Sequence, residues 1–322
     1  MAGERSYPDV LVTGAATADF YPRRPSNGTL GAEFRWAPGG VGVNVARALA
    51  LLDEPPYLAT RLGDDSFGTA IARQLDANDV PRTLVTETSD HTPLLFYVPA
   101  DAGGPRWEPR LEGSCFGFEL PEGPESLFAR LSVLHLTGTT LPPSVSLDAM
   151  RSAVEYARNH DVDVSFDMNC RANQWDDRSR YADLAAEMLG AADVVFASTD
   201  DLALAGYDDG IDGLLAALPE RASVTAFVTE GAAGATAVRT EDGAVTASHS
   251  HGGYDVEVVD PAGGGDAFAG AVLAALGQGT TDLETLVAAG NAAGAAAVTS
   301  VGPFRGRDVE TLPSLTESWP PE

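Results

Sequence analysis

Val258-Val-Asp-Pro-Ala-Gly-Gly-Gly-Asp-Ala-Phe-Ala-Gly-Ala-Val-Leu-Ala-Ala-Leu276 is the stretch whose reading decides the fold. Apolar residues lead into three consecutive glycines, an aspartate follows at once, and an Ala/Leu/Val run reads as a buried helix. The pattern predicts a strand that ends, a backbone nest and a helix that begins. Gly263, Gly264 and Gly265 let their amides lie against a ligand, and the first turn of the helix leaves N–H groups unpaired with the positive end of its dipole behind them. Such a nest is an anion hole. Asp266 stands at its mouth, where a carboxylate can take a proton from a hydroxyl that attacks a phosphate. The dipole and the free amides are expected to depress its pKa and keep it ionised. The competing reading is that Asp266 caps the helix and the glycines only turn the chain.

The chain has 322 residues, 44% of them hydrophobic, enough for one large α/β domain with a lid or for two smaller domains. One domain over residues 1–322 is the expectation. No apolar run is long enough to cross a bilayer, and residues 1–20 are too polar and broken for a signal peptide, so a soluble, cytoplasmic protein is expected. Cys115 and Cys170 make neither a disulfide framework nor a metal cluster, which fits a reducing compartment.

Acidic residues number 47 against 20 basic ones, a net charge of −27, and every basic residue is arginine. Such a surface repels itself in dilute buffer and is tolerated in molar salt, where the Debye length falls to ~3 Å. A halophilic origin is the expectation. The same charge excludes nucleic acid and anionic membranes as partners, because both need a basic footprint. The missing lysine removes the Walker A loop, the protein-kinase strand lysine and Schiff-base chemistry. Phosphoryl transfer must then rely on backbone amides, arginine and metal.

Residues 9–15 read as a first buried strand ending in a small-residue turn, followed by Asp19. Pro22, Pro25, Gly28, Gly31 and Pro38 mark an excursion from the core, and Gly39 and Gly40 then open a strongly apolar helix to Leu52. Gly40-Val-Gly42 is no dinucleotide fingerprint, since Val45 stands at the third glycine position. Asn44, a polar amide one turn into that helix, either faces a ligand or pairs with backbone. Residues 57–61 read as a strand and 69–75 as a helix. Runs at 83–88, 93–99 and 107–111, the last two joined through Gly103-Gly104, lack helices between them and are expected to form a small separate sheet. With residues 17–37 it would make a lid, inserted at about 17–37 and 82–113. After it strands and helices alternate through residue 228. That rhythm predicts a doubly wound, mostly parallel sheet covered on both faces. A hairpin over 235–248 and an Ala-rich helix over 283–299 complete the reading.

Gly39-Gly40-x-x-x-Asn44-x-Ala46, Phe166-Asp-x-Asn-x-Arg171-x-x-x-Trp175 and Asp260-x-x-Gly-Gly-Gly-Asp266-Ala-Phe together resemble the signatures of the ribokinase-like, phosphofructokinase-B-type carbohydrate kinases. The resemblance spans most of the chain, in order. It implies ATP- and Mg²⁺-dependent phosphorylation of a sugar hydroxyl on a ribokinase-like α/β fold with a β-lid, and a homodimer joined through that lid. Asp266 matches the family's catalytic base, with Gly263, Gly264 and Gly265 as its anion hole. Asp19, Gly39, Gly40 and Asn44 match sugar-binding positions, joined by Tyr97. On the nucleotide side Thr229, Gly231, Gly234, Gly263, Gly265 and Asn291 carry over, although the lysine usual before those glycines is absent. Asp201, in Ser198-Thr-Asp-Asp201, replaces the family's Asn-x-x-Glu and is expected to hold Mg²⁺ through water. Asp260 matches a monovalent-cation position, expected to take K⁺. The arginine motif is similar to the 2-keto-3-deoxygluconate kinase and fructokinase branches. In the first, arginines meet the substrate carboxylate, and Arg110 with Arg171 would form that fork. A keto-sugar-acid kinase is therefore favoured over a fructokinase or pentose kinase. A catalytically silent sensor of sugar or nucleotide is the alternative of another class.

Overall fold

Short runs of Val, Leu and Phe bounded by small residues become the strands of a computed structural model that describes residues 9–22, 33–98, 106–142, 144–171, 174–220 and 222–300. The N-terminal half contributes β1 (Val10–Thr13), β2 (Thr17–Pro22), β3 (Phe34–Gly39), α1 (Val41–Leu51), β4 (Tyr57–Gly63), α2 (Ser66–Ala77), β5 (Val85–Thr88), β6 (Leu94–Val98) and β7 (Arg106–Arg110). The middle follows with α3 (Glu125–Phe128), β8 (Val133–Thr137), α4 (Ser144–Asn159), β9 (Asp163–Asp167), α5 (Arg178–Leu189), β10 (Val194–Ser198), α6 (Thr199–Ala205) and α7 (Gly210–Ala217). Last come β11 (Thr225–Thr229), the hairpin β12 (Ala235–Glu241) and β13 (Ala244–His251), then α8 (Gly264–Gly277) and α9 (Leu283–Ala297).

Nine strands form one sheet in the order β13-β12-β11-β10-β9-β8-β1-β4-β5, parallel except for the hairpin. The strand alternation feeds two cores. Leu11, Leu134, Leu136 and Phe166 meet helices α4 and α5 on one face, through Met150, Tyr181 and Met188. Val10, Val12, Phe196 and Phe227 meet α1, α8 and α9 on the other, through Val43, Phe268, Val272 and Leu286. Because both faces are covered, the strands need no polar side. This is the expected doubly wound architecture. Helix α8 is buried from Asp266 to Ala275 and sits between α1 and α9. A methyl group on Gly270 would run into Ala48, and one on Gly290 into the Phe268 ring, so glycine sets both crossings.

A second sheet, β3-β2-β6-β7, stands apart and forms the lid. It is smaller than expected. The run at 83–88 becomes β5 and pairs parallel with β4, Thr60 opposite Val85, in the large sheet. The reason is α2, which lies between the two strands and returns the chain alongside β4 as an ordinary β-α-β unit. The Gly103-Gly104 joint lies outside the described residues.

The expected strand before the glycines is also absent. Val258 and Val259 are 55% and 50% exposed, and the segment is held instead by Val259 N and Asp260 N donating to Val298 O at the end of α9. Hairpin β12–β13 has already closed that edge of the sheet. Among the described residues no helix is long and apolar enough to cross a membrane.

Candidate active site

Gly263 caps α8 with φ 83°, a left-handed conformation that suits glycine, and offers no side chain to the first turn. A methyl on Gly265 would meet nothing within 4 Å, so space lies open over the start of the helix, where amides lack intrahelical partners. The backbone therefore provides a cradle that fits a phosphate group.

Asp266 occupies the third position of this helix and makes no cap. It turns inward. Its Oδ2 accepts a 2.7 Å hydrogen bond from Asn44 Nδ2 and its Oδ1 a 3.3 Å bond from Asn169 Nδ2. The capping alternative fails on this geometry. So does the expectation of a depressed pKa: burial raises it, against Asn44, Arg171 and Asn169, which lower it. Two amide donors and an arginine do not replace the water that a carboxylate loses at 5% exposure.

Asp266 stands where two cavities meet. The smaller is lined by Asp19, Gly40, Asn44, Leu95, Trp107 and Thr139. The larger takes in Asp167, Asp200, Thr229, Gly231 and Gly265. Trp107, Arg171, Ala262, Gly263 and Asp266 belong to both. A hydroxyl held in the first and a phosphate held in the second would meet at this carboxylate.

Strand β2 and the opening of α1 shape the smaller cavity. Gly39 is in contact with the Asp19 carboxylate so closely that any side chain there would collide with it. Gly40, at φ 95°, allows the turn into α1 that puts Asn44 one turn inside the helix and opposite Asp266. Asp19 accepts a 2.6 Å bond from Thr17 Oγ1. Burial pushes its pKa up to about 7 despite that bond, and the charges on Asp266 and Asp260 add to the rise.

The other expected site residues divide. Tyr97 lines the larger cavity and packs against Trp107 with ring centroids 4.9 Å apart. Arg171 lines both cavities, braced by its Nη1 donating to Cys170 O at 3.0 Å. Arg110 does not join it. Strand alternation turns Trp107 and Pro109 inward and Arg110 outward, where it is 60% exposed and paired with Glu108 at 3.4 Å. The expected two-arginine fork is therefore not assembled.

Thr229 and Gly231 line the larger cavity, but Gly234 and Asn291 do not. A side chain at Gly234, φ 94°, would strike His251 O and Gly253 N, so that glycine serves the close packing of the hairpin. Asn291 Nδ2 lies 3.1 Å from His251 O and 3.0 Å from His251 Nδ1, tying α9 to the end of β13. Asp201 was expected beside Mg²⁺, yet its Oδ1 accepts from Cys170 N at 2.6 Å and its Oδ2 from Ser198 N and Oγ at 2.8 and 2.6 Å. Those bonds hold the carboxylate in the wall of the larger cavity. Asp260, 3% exposed, accepts from Ala262 N at 3.0 Å in the turn before the cradle. Among the described residues no cluster of three metal-ligating side chains exists.

Asp167 and Asn169 also line the larger cavity, and site assignment from the sequence did not include them. Asn169 donates to Asp167 and to Asp266 at 3.3 Å each, bridging the two acids. Burial, then the charges on Asp201 and Asp266, hold the Asp167 carboxyl well above the ordinary carboxylate range. The available signal was its position at the carboxyl end of a buried parallel strand, where ligands of α/β sheets gather.

A profile of the pfkB family carbohydrate kinases matches residues 8–308. Fructokinase-1 of Oryza sativa subsp. japonica is 30% identical over 297 residues, covering 88% of this chain and 89% of its own length. An ATP-dependent ribose-1-phosphate kinase of Halopiger xanaduensis is 31% identical over 264 residues, 81% of this chain and 80% of its own. The structure of a fructokinase with bound ATP from Xylella fastidiosa superposes with a TM-score of 0.80 at 24% identity, over 96% of this chain and 98% of that one.

Proposed function

The chain belongs to the pfkB family of carbohydrate kinases, and on that premise we propose that it phosphorylates a small neutral ketose, with fructose as the reference substrate. It is an ATP-dependent sugar phosphotransferase. The observation that carries the mechanism is the place of Asp266 at the junction of the two cavities, with each oxygen held by an amide. Asp266 accepts the proton of the sugar hydroxyl as that oxygen attacks. The amides at the start of α8 receive the charge that gathers on the transferred phosphoryl group, and Arg171, the cation common to both cavities, adds to them. Nucleotide would lie along Thr229, Gly231 and Gly265; when bound it supplies the phosphoryl group, with Mg²⁺ neutralising its phosphates.

A neutral sugar is favoured because Arg110 points away and two carboxylates, Asp19 and Asp266, flank the small cavity. The second reading, 2-keto-3-deoxygluconate, rests on Arg171 in the wall of that cavity. ADP release measured with fructose, ribose and 2-keto-3-deoxygluconate decides between them. Arg171→Ala is expected to damage all three alike. A rise in KM of about ten- to a hundredfold confined to the keto acid, the loss of one charge-assisted pair, would restore the sugar-acid reading. No turnover with any sugar would leave only the sensor. The scattered negative charge supports a protein that works in concentrated salt, with K⁺ held near Asp260, so the assay belongs in molar KCl.

A further inference from the structure

Two stretches connect the lid strands β6 and β7 to the large sheet, residues 89–93 on the way in and 111–117 on the way out. They run side by side. His91 and Ser114 form an isolated parallel bridge, and Cys115 N donates to His91 O at 3.0 Å. The His91 ring spans the same seam, with Nδ1 2.9 Å from Thr92 O and Nε2 3.0 Å from Glu112 O.

A carbonyl oxygen only accepts, and a neutral imidazole carries a single N–H. Both contacts are hydrogen bonds at once only when the ring is an imidazolium. The charges around the ring favour that form. Asp65, the N-cap of α2, accepts from Thr92 N at 2.7 Å and Thr92 Oγ1 at 2.8 Å. Asp90 precedes His91 in the chain. The opposing cation, Arg61 of β4, is engaged with Asp90 at 3.4 Å. The two carbonyls raise the pKa of the imidazole most, with Asp65 and Asp90 adding to them and desolvation opposing.

We propose that His91 is a positioning residue for the lid: as an imidazolium it pins the incoming crossing to the outgoing one and so keeps Leu95, Trp107 and Pro109 in the wall of the sugar cavity. Loss of its proton releases one of the two carbonyls. The pinned form is complete below the ordinary imidazole value and is lost as pH rises through the higher folded value. The device therefore acts on sugar binding and leaves the transfer step, which Asp266 governs, unchanged.

The test begins on the unliganded full-length protein, with the imidazole nitrogens of wild type titrated by NMR. His91 is expected to carry protons on both nitrogens at neutral pH, with a midpoint above the ordinary value of about 6.5. Exchange of the Cys115 and Thr92 amides, corrected for its intrinsic pH dependence, should then quicken by roughly two- to fivefold across that midpoint, the scale of one exposed hydrogen bond. His91→Gln should abolish this step. In the kinase assay the rise in KM for the sugar across that midpoint should be larger in wild type than in His91→Gln by the same factor, Asp19 contributing equally to both, with kcat lacking the difference. A midpoint at or below the ordinary value overturns the proposal even if the Gln variant fails to fold, and so does an amide-exchange step at Cys115 and Thr92 that survives in it. The titration and exchange arms need no sugar, so their failure is separate from any error about which sugar is phosphorylated.

Discussion

Asp201 and Asp266 hold the same place, the third residue of a helix, and do opposite things with it. At the start of α6, Ser198 caps Asp201 N at 3.2 Å and Asp201 answers with bonds to Ser198 N and Oγ, a reciprocal box that also secures Cys170 N. At the start of α8 the cap is Gly263, which has nothing to offer, and Asp266 reaches across to Asn44 and Asn169. The residue at the cap thus decides whether the acid behind it closes the helix or faces a ligand. Where serine stands, the carboxylate is drawn into the cap. Where glycine stands, the amides and the carboxylate are both left for chemistry.

The hardest way to break this contrast is Asp266→Asn, which keeps the shape and removes the proton acceptor. Turnover should fall by roughly 10²–10⁴ with nucleotide affinity little changed. The melting temperature should hold or rise, because a buried carboxylate has been neutralised. An early melt with normal turnover per folded molecule would make α8 a second α6.

Asp19 sharpens the same point from the neighbouring strand. Its folded value of about 7 lies about three units above the ordinary 3.8. The folded state therefore keeps the proton to higher pH than the unfolded chain does. Stability is fullest below the ordinary value, falls as pH rises through about 7 and stays reduced above it. At 1.36 kcal/mol per unit the loss is on the order of 4 kcal/mol at most. Asp19→Asn should recover much of that at pH 8 in urea melts while weakening sugar binding. A variant no more stable than wild type at pH 8 would show that the acid is not strained by its site.

The smallest effect is expected at α6. Asp201→Ala should cost roughly 1–3 kcal/mol, the loss of a cap and its partners, while turnover of the folded fraction stays within about threefold. Collapse of turnover in a stable Asp201→Ala protein would return Asp201 to the metal site and end the contrast.

The glycines at 263–265 and the alternation of short apolar runs with helices were enough to read the doubly wound core and to place the cradle, because both follow from local pattern. What escaped depends on pairing between distant residues. Nothing near residue 85 says that β5 joins β4 and not the lid, since the decision is made by α2 folding back. Arg110 reads like Arg171 in one dimension, and only the register of β7 turns it away. The direction of the Asp266 shift was misread because the dipole is written in the sequence, whereas the closing of water out of the site is a property of α1, β9 and α8 together. Asp167 was passed over for the same reason, its partners lying on other elements.

Helix α8 is wedged between α1 and α9, with glycine at both crossings and every residue from Asp266 to Ala275 buried. A substitution there would push the base or the cradle out of place, so the part of the molecule that moves phosphate has almost no freedom to vary. The lid strands are only half buried over most of their length and line the smaller cavity with residues drawn from one face. Descendants of one ancestral protein could exchange one sugar for another there, generation after generation, while inheriting the transfer chemistry unaltered.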